Sequence, residues 1–191
     1  MGYFPAFIEF ENKKILVVGG GYIAYEKLEK LIDFTHNITI IATKLSENVA
    51  KIAKEYDIVV IQRPYMVGDI EGFDIVIVAT DTIELHKEIY IESRSSRVLV
   101  NSVDNTKYCD FIFPSYIKRG DLTIAFSTSG TSPAFAKHIR RYFENIIPDG
   151  IEEFLKHMKE LRSTLPKGKK RMQIFDKMAK EFIDKHFGKN S

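Results

Sequence analysis

The sequence predicts an α/β protein: a Rossmann-like, doubly wound parallel sheet, followed by a small α+β region and a C-terminal helical region. Two observations support this prediction. Short, continuous Ile/Val runs alternate with segments of helical length over residues 13–101, and GGGYIA at 19–24 fits G-x-G-x-x-A directly behind the apolar run Ile15–Val18. Strands without polar alternation are expected where helices cover both faces of a parallel sheet. A glycine turn between strand and helix is typical of dinucleotide-binding folds.

The predicted elements follow one another along the chain. We expect strands at 13–18, 37–42, 58–61, 74–79 and 97–101, with helices at 22–34, 45–56 and 82–94. Two later apolar runs, 111–118 and 122–127, predict a hairpin. Ser132 as N-cap and Pro133 at the first helical position then predict a helix to about residue 147. Two further helices are expected near 150–163 and 168–187. The expected domains are a nucleotide-binding Rossmann domain at 1–112, a hairpin-and-helix region at 113–148 and a C-terminal helical domain at 149–191.

The glycine turn contains the first candidate cofactor-binding residues. Gly19 can form the tight turn, Gly21 can let backbone N–H groups approach a pyrophosphate, and Ala24 can let helix and strand pack closely. The N-terminus of the following helix presents unpaired donors and a partial positive charge to the phosphates. The candidates in this turn are Gly19, Gly21, Tyr22, Ile23 and Ala24. A glycine turn in a ligand-free sheet is the alternative interpretation.

The identity of the nucleotide is open on spacing alone. NAD sites usually carry Asp or Glu at the end of the second strand, about 20 residues after the first glycine. This chain has Thr43 and Lys44 there, and no acidic residue before Glu47. Thr43, or backbone groups of Thr43 and Lys44, could bond the ribose, whereas the Lys44 side chain could instead favour a 2′-phosphate.

Two more strand ends carry polar residues at the same carboxyl edge of the sheet. Thr80 and Asp81 follow the fourth strand, where ligands bind in such folds. Asp81 is also explained as a cap of the next helix, which is the interpretation we favour. Asn101 and Asp104 lie at the end of the fifth strand. A carboxylate at 104 could face the nicotinamide and accept a proton during an oxidation, and a capped loop explains it equally well.

Composition and charge limit the classes of protein. The 191-residue chain has 45% hydrophobic and 28% charged residues, and no apolar run approaches the roughly 18 residues of a membrane helix. The one cysteine, Cys109, excludes an internal disulfide; it is interpreted as a small strand-end hydrophobe. With no leader pattern, we expect a cytoplasmic protein without membrane contact. The five histidines lack metal-ligand spacing, so no metal site is expected.

The charge is unevenly distributed along the chain. Residues 1–150 carry 17 Lys and Arg against 20 Asp and Glu, whereas residues 151–191 carry 11 against 6. The basic excess predicts either a solvated helical face or a surface for something anionic. Nucleic acid is not an expected partner, because the basic run has no interleaved aromatic residues and no known reading motif.

Several blocks, in order over nearly all of residues 3–145, resemble one family. They are YFPAF at 3–7, VVGGGYIA at 17–24, VATD at 78–81, NSVD at 101–104, CDFIFP at 109–114 and GDLTIAFSTSGTSP at 120–133. The chain resembles the siroheme synthase N-terminal family, that is, precorrin-2 dehydrogenase with or without sirohydrochlorin ferrochelatase activity. The first block is similar to the family's opening strand. The tail after residue 145 matches only loosely.

The resemblance implies an enzyme of tetrapyrrole biosynthesis. It implies NAD as the cofactor, precorrin-2 as the substrate, sirohydrochlorin as the product and Asp104 as the catalytic base. It also implies a homodimer formed through the region 113–148. The residues expected to bind the polycarboxylate substrate are Asn101, Ser129, Thr131, Ser132, Lys137 and Arg140. If the chain also inserts metal, Fe²⁺ or Co²⁺ would be a further substrate.

Two other functions stay open at this point. An NAD-sensing regulatory module would share the glycine turn but needs neither an aspartate after the fifth strand nor an anion site at a Ser-Pro helix start. A chelatase or tetrapyrrole carrier without redox activity would bind the tetrapyrrole but form no NADH.

Overall fold

The first part of the chain contains a five-stranded parallel sheet. A computed structural model of the protein describes residues 2–103 and 105–188, and the chain divides into two compact units after Ile112. The strands of the first unit are β1 (Ile15–Val18), β2 (Ile38–Ile41), β3 (Val59–Ile61), β4 (Ile75–Val78) and β5 (Leu99–Ser102). They pair in parallel in the order β3-β2-β1-β4-β5. The predicted doubly wound sheet is therefore confirmed.

The strand register brings several loops to one edge of the sheet. Val18 pairs with Ile41 on one side and with Val78 on the other, and Val78 pairs with Ser102. The loops that follow β1, β2, β4 and β5 therefore emerge side by side. The strand order reverses between β1 and β4, and ligands of open α/β sheets bind at such a switch point.

Three helices follow β1, β2 and β4: α1 (Tyr22–Leu31), α2 (Glu47–Glu55) and α3 (Ile83–Ser93). The prediction that the first of them continues to residue 34 is wrong, because α1 ends at Leu31. Thr35 is buried, and its Oγ1 accepts a hydrogen bond from the backbone N–H of Asn37 (3.1 Å). This local side-chain bond stabilises a turn in place of a further helical turn.

The core of the first unit is centred on β1 and β4. Every residue of these two strands is buried, as expected when both faces of a parallel sheet are covered. On α1, the residues that pack inward are Ala24, Leu28 and Leu31. The spacing of these three positions places them on one face of the helix.

The free edge of β5 is covered by a short segment rather than by another strand. The backbone N–H of Asp110 donates to Val100 O (2.8 Å), and the N–H of Val100 donates to Asp110 Oδ2 (2.8 Å). Residues 3–7, expected to form an opening strand, have irregular structure instead, with Phe4 and Phe7 exposed. A strand needs a partner for its backbone groups, and Asp110 already occupies the β5 edge.

The connection from β3 to β4 forms turns rather than a helix. Arg63 makes a two-bond ion pair with Asp69 (2.6 and 2.7 Å). Glu92 of α3 accepts hydrogen bonds from the Tyr65 hydroxyl (2.7 Å) and from the N–H of Gly68 (2.8 Å). The ion pair holds the two ends of the turn together, and the bonds to Glu92 fix the connection to α3. The Arg63 guanidinium also lowers the pKa of the Asp69 carboxyl.

The second unit is a hairpin followed by three helices. Its elements are β6 (Ser115–Arg119), β7 (Leu122–Phe126), α4 (Pro133–Ile146), α5 (Ile151–Thr164) and α6 (Lys169–Phe187). The first hairpin strand was expected to begin at 111 but begins at Ser115, because Pro114 has no N–H to donate to a ladder. The predicted N-cap is confirmed, since Ser132 Oγ accepts from the N–H of Phe135 (3.2 Å). A separate domain beginning at 149 stays a prediction.

Candidate cofactor site

An open cleft of about 530 Å³ lies at the carboxyl edge of the sheet, beside the β1–β4 switch point. Its volume falls within the range of small-molecule sites. The cleft is lined by the following predicted cofactor residues: Gly19, Gly21, Tyr22, Ile23, Thr43, Lys44, Thr80 and Asp81. Ala24 does not line it; this residue is fully buried and packs α1 onto the sheet. The structure thus brings together predicted cofactor residues that follow three different strands.

The three glycines of the turn have three different environments. Gly19 has φ +125°, and a Cβ there would lie 2.1 Å from Ala79 O. A Cβ on Gly20 would lie 2.2 Å from Lys44 O. A Cβ on Gly21 would meet nothing within 4 Å. The first two glycines therefore let backbone segments approach each other, whereas Gly21 borders open space in which a ligand can approach the backbone.

The N-terminus of α1 faces this space without a side-chain cap. Gly21 is the N-cap residue, and no side-chain cap hydrogen bond is made to this helix start within the described part of the chain. The first N–H groups of a helix have no acceptor within the helix, and together with the helix dipole they favour an anion. The residues present therefore fit a pyrophosphate-bearing nucleotide.

The cleft wall beyond β2 contains cationic side chains and few carboxylates. Thr43 and Lys44 are exposed there, and Gln62 Nε2 donates to Thr43 O (3.4 Å). The connection after β3 adds Arg63 and Tyr65, which the sequence analysis missed because that segment has neither a strand nor a helix period. Among the described lining residues, Asp81 is the only carboxylate. Neither the sequence spacing nor the described cleft lining beyond β2 therefore contains the acidic residue that usually binds the ribose.

The end of β4 contributes Thr80 and Asp81. The N-cap of α3 is Thr82, without a side-chain cap bond, so the favoured interpretation of Asp81 as the cap is wrong. The Asp81 side chain lies one residue too early to reach the first turn as an N-cap does, and it is exposed in the cleft wall. Thr80 Oγ1 is buried without a hydrogen-bond partner among the described residues.

A buried histidine behind the cleft is a residue that the sequence analysis missed. His86 of α3 is 3% exposed, its Nε2 lies 2.8 Å from Thr80 O, and its Nδ1 is hydrogen-bonded to Ser102 Oγ. A signal was present, because His86, Ile89 and Ser93 are the buried positions of α3 and have helical spacing. Periodicity thus indicates an inward-facing imidazole, although not its partners.

The end of β5 is held by side chains and by a cysteine. Asn101 is buried, and its Nδ2 donates to Phe111 O (2.9 Å), while its Oδ1 has no partner in the described part of the chain. Cys109 follows a short 3₁₀ turn; its Sγ accepts from Ser102 N (3.1 Å) and lies 3.1 Å from Ser102 O as donor. Burial raises the pKa of this thiol. Asp104, the predicted base, lies outside the described residues.

The predicted substrate residues of the second unit lie in the loop before α4, at its N-cap and within the helix. Ser132 Oγ is engaged as the N-cap, and Ser132 N donates to Thr128 Oγ1 (3.0 Å). Ser129, with φ +53°, and Thr131 are exposed. Lys137 is exposed on α4, whereas Arg140 is ion-paired with Glu144 (2.6 Å).

Neither a metal cluster nor a membrane helix is found in the described residues. Within 2–103 and 105–188, no group of three or more His, Cys, Asp or Glu residues is placed to hold a metal ion. Over the same ranges, no helix has the length and apolar character needed to cross a membrane.

Comparison with known proteins gives two matching families. A family described as "Putative NAD(P)-binding" matches residues 6–115, and one described as "Sirohaem biosynthesis protein central" matches residues 119–145. The siroheme synthase of Pseudoalteromonas atlantica is 33% identical over 86% of this chain and 36% of its own length. That of Ruthia magnifica subsp. Calyptogena magnifica is 36% identical over 78% of this chain and 31% of its own length. The chain thus spans about a third of these curated relatives.

A solved structure gives the same fold. The protein named SirC, precorrin-2 dehydrogenase, matches with a TM-score of 0.76 and 22% identity, over 88% of this chain and 85% of that chain. Because the NAD(P)-binding family matches more than half of the chain and the curated relatives are siroheme synthases, the chain belongs to the siroheme synthase N-terminal family, with an NAD(P)-binding domain.

Proposed function

We propose that the chain is a precorrin-2 dehydrogenase that oxidises precorrin-2 to sirohydrochlorin, with NAD⁺ as the hydride acceptor. The observation that carries the proposal is the cleft at the β1–β4 switch point, where the glycine turn meets an uncapped helix N-terminus. The family membership supports the nicotinamide nucleotide. The siroheme synthase relatives and the precorrin-2 dehydrogenase of the same fold support the substrate.

The residues that would hold the nucleotide are those around the cleft. The space beside Gly21 and the free N–H groups at the start of α1 suit the pyrophosphate. Thr43 and Lys44, which line the cleft beyond β2, would hold the ribose, and Thr80 and Asp81, which line it beyond β4, would hold the other half of the nucleotide. When bound, NAD⁺ would supply the hydride acceptor for the oxidation.

NAD rather than NADP is the proposed cofactor. NADP sites use an arginine for the 2′-phosphate, and the arginine of this cleft wall, Arg63, is engaged on two atoms by Asp69. Lys44 is the other cation of the described lining. Comparing NAD⁺ with NADP⁺ as acceptors in the same assay tests this choice.

Asp104 is the proposed base. The oxidation removes a hydride and a proton from precorrin-2, so the balanced reaction is precorrin-2 plus NAD⁺ giving sirohydrochlorin, NADH and a proton. In the sequence Asp104 follows Ser102, the last residue of β5, by two positions, and Ser102 pairs with Val78 at the end of β4. The Asp104 carboxylate can take that proton and release it to solvent.

The polycarboxylate substrate needs several polar and cationic partners. We propose Ser129, Thr131, Ser132, Lys137 and Arg140 for this role. Asn101, also predicted for it, is buried with Nδ2 bonded to Phe111 O, so it would have to release that bond to reach a substrate carboxylate. The exposed hydroxyls of Ser129 and Thr131 and the exposed ammonium of Lys137 are accessible as they stand. Arg140 would exchange Glu144 for a substrate carboxylate, which its planar guanidinium can bind on two atoms.

We further propose that the enzyme acts as a cytoplasmic homodimer. The large exposed apolar residues of α4 support the assembly; they are Phe135, Tyr142, Phe143 and Ile146. Exposed apolar groups of this size on one helix are typical of an interface.

The test is an anaerobic incubation of the purified chain with precorrin-2 and NAD⁺. The proposal predicts NADH and sirohydrochlorin. A regulatory module would bind NAD⁺ without turnover, and a carrier would bind the tetrapyrrole without forming NADH; either result would refute the dehydrogenase. Adding Fe²⁺ or Co²⁺ to sirohydrochlorin, with and without protein, decides separately whether the chain also inserts metal.

A further inference from the structure

A buried imidazole connects the two strand ends on which the proposed chemistry depends. His86 and Ser102 are each 3% exposed. The His86 ring lies between the end of β4, where Nε2 is 2.8 Å from Thr80 O, and the end of β5, where Nδ1 meets Ser102 Oγ. Both ring nitrogens are thus engaged.

The partners determine which tautomer the neutral ring adopts. A carbonyl oxygen can only accept, so Nε2 carries a hydrogen and donates it to Thr80 O. In the neutral imidazole Nδ1 is then an acceptor, and the Ser102 hydroxyl donates to it. The ring is fixed in orientation and in tautomer by two groups on two different strands.

The Thr80 end of this link has little other side-chain support. Thr80 Oγ1 is buried without a partner among the described residues, so the position of residue 80 depends on its backbone. The backbone N–H of Ala79 donates to Val18 O (2.8 Å), and the Thr80 carbonyl is held by His86. Since Thr80 lines the cleft, His86 sits directly behind the cofactor wall.

The Ser102 end leads to the segment around residue 104. Cys109 Sγ holds the backbone of Ser102 from one side, and His86 holds its hydroxyl. The N–H of Val103 donates to Val78 O (3.0 Å), and the N–H of Asn105 donates to Ser102 O (3.4 Å). Val103 and Asn105 are thus each held by a backbone hydrogen bond, and Ser102 is held through both its hydroxyl and its backbone.

We propose that His86 is a positioning residue for the dehydrogenase reaction: by bonding Thr80 O and Ser102 Oγ, it fixes the end of β4, in the cofactor wall, relative to the end of β5, which precedes Asp104 in the chain. This inference rests on the proposed function. His86 acts through these two residues and does not itself line the cleft. A displacement of about 1 Å between reacting groups can cost about 100-fold in rate.

The first test uses no catalysis. Amide hydrogen exchange is compared between the wild-type chain and His86→Leu, with His36→Leu as the matched control; His36 is an exposed histidine in the loop before β2. The proposal predicts faster exchange at both 79–82 and 102–108 in His86→Leu only. His86→Gln, which restores one donor and one acceptor, should recover the slow exchange. Unchanged exchange at either segment in His86→Leu would overturn the link.

The second test separates the link from a general loss of stability. Ser102→Ala removes only the hydroxyl and is used if His86→Leu does not fold. We expect kcat to fall about 10- to 100-fold in His86→Leu and less in Ser102→Ala, while the KM for NAD⁺ changes little and His86→Gln regains most of kcat. Wild-type kcat in Ser102→Ala and in His86→Leu would overturn the proposal. A wild-type chain that forms no NADH would instead refute the proposed function, and hydrogen exchange would still decide the link.

Discussion

The two units of the chain differ in how much apolar surface they bury. In the first, all eight residues of β1 and β4 are buried, and all three helices contribute to the core. In the second, the buried apolar side chains among the described residues are Ile117, Ala136, Ile151 and Phe175. α4 contributes only Ala136 to that set.

The difference indicates that the units stabilise themselves in different ways. The parallel sheet has a core of its own, so the cofactor cleft is built on rigid strands. A two-stranded hairpin is marginally stable by itself. Exposed apolar residues such as Phe135 (59% exposed) and Tyr142 (65% exposed) on one helix are typical of an interface. A second copy of the chain is the partner that we propose.

The largest expected effect is on kcat, and it separates catalysis from cofactor binding by the first unit. Asp104→Asn should lower kcat about 100- to 10,000-fold, because the proton acceptor is lost. The affinity for NAD⁺ should be nearly unchanged, since the residues proposed to hold the nucleotide follow β1, β2 and β4 rather than β5. Steady-state kinetics and a fluorescence titration with NADH measure the two quantities. Loss of affinity in Asp104→Asn would mean that Asp104 has a structural role.

The next effect distinguishes packing from ligand contact within the glycine turn. Gly19→Ala should lower the free energy of unfolding by about 3 kcal/mol, because the new Cβ meets Ala79 O and φ is positive. At Gly21, φ is −87° and a Cβ would meet nothing within 4 Å. The free energy of unfolding of Gly21→Ala should therefore stay within about 0.5 kcal/mol of wild type.

The affinity for NADH is the second quantity to measure on the two glycine variants. Gly21→Ala should weaken NADH binding while leaving the urea midpoint in place, since its methyl group enters the space proposed for the pyrophosphate. Equal destabilisation of Gly19→Ala and Gly21→Ala would contradict the distinction between a packed glycine and a ligand-facing one.

A charge on α4 tests the dependence of the second unit on a partner. Tyr142→Glu should shift the sedimentation profile from dimer to monomer and speed amide exchange in residues 113–188, with a loss of about 2 kcal/mol in association free energy. NADH binding by the first unit should persist. Val67→Glu, at an 82% exposed apolar residue of the first unit, is the matched control and should leave the profile unchanged. A monomeric wild type would refute the dimer.

The smallest effect concerns the acid stability of the first unit. Arg63 lowers the pKa of Asp69 below its ordinary value of 3.8, so the stability that this pair contributes is present above pH 3.8 and is lost as pH falls through the lowered folded value. Asp69→Asn should cost about 1 kcal/mol at neutral pH, and the difference from wild type should disappear in strong acid.

Glu71→Gln is the control for that titration. It removes a negative charge from the same connection at an exposed residue. Its unfolding free energy should follow wild type at every pH. A constant difference between Asp69→Asn and wild type down to strong acid would exclude the ion pair as the cause.

The strand prediction succeeded because the parallel strands are continuous Ile/Val runs, a signal that survives burial on both faces. The ends of helices and strands were less predictable, because each end depends on a single residue. The Thr35 hydroxyl ends the turn after α1, and Pro114 delays β6. Asp81 resembles a helix cap, but α3 starts after Thr82.

The cleft was predictable where one strand end contributes neighbouring residues, as at Gly19 and Gly21 or at Thr43 and Lys44. Arg63 and Tyr65 reach the cleft from a connection without periodicity. The role of His86 depends on two strands that are distant in sequence, and helical spacing alone indicates only that the residue is buried.

The most direct test of the central claim is the stoichiometry of the anaerobic reaction. The full chain, precorrin-2 and NAD⁺ are mixed without oxygen, and NADH and sirohydrochlorin are quantified together from their separate absorbance bands. For a dehydrogenase, we expect equal amounts of both products, formed at a rate proportional to the protein concentration. Sirohydrochlorin without NADH, or neither product despite saturable NADH binding, would contradict it.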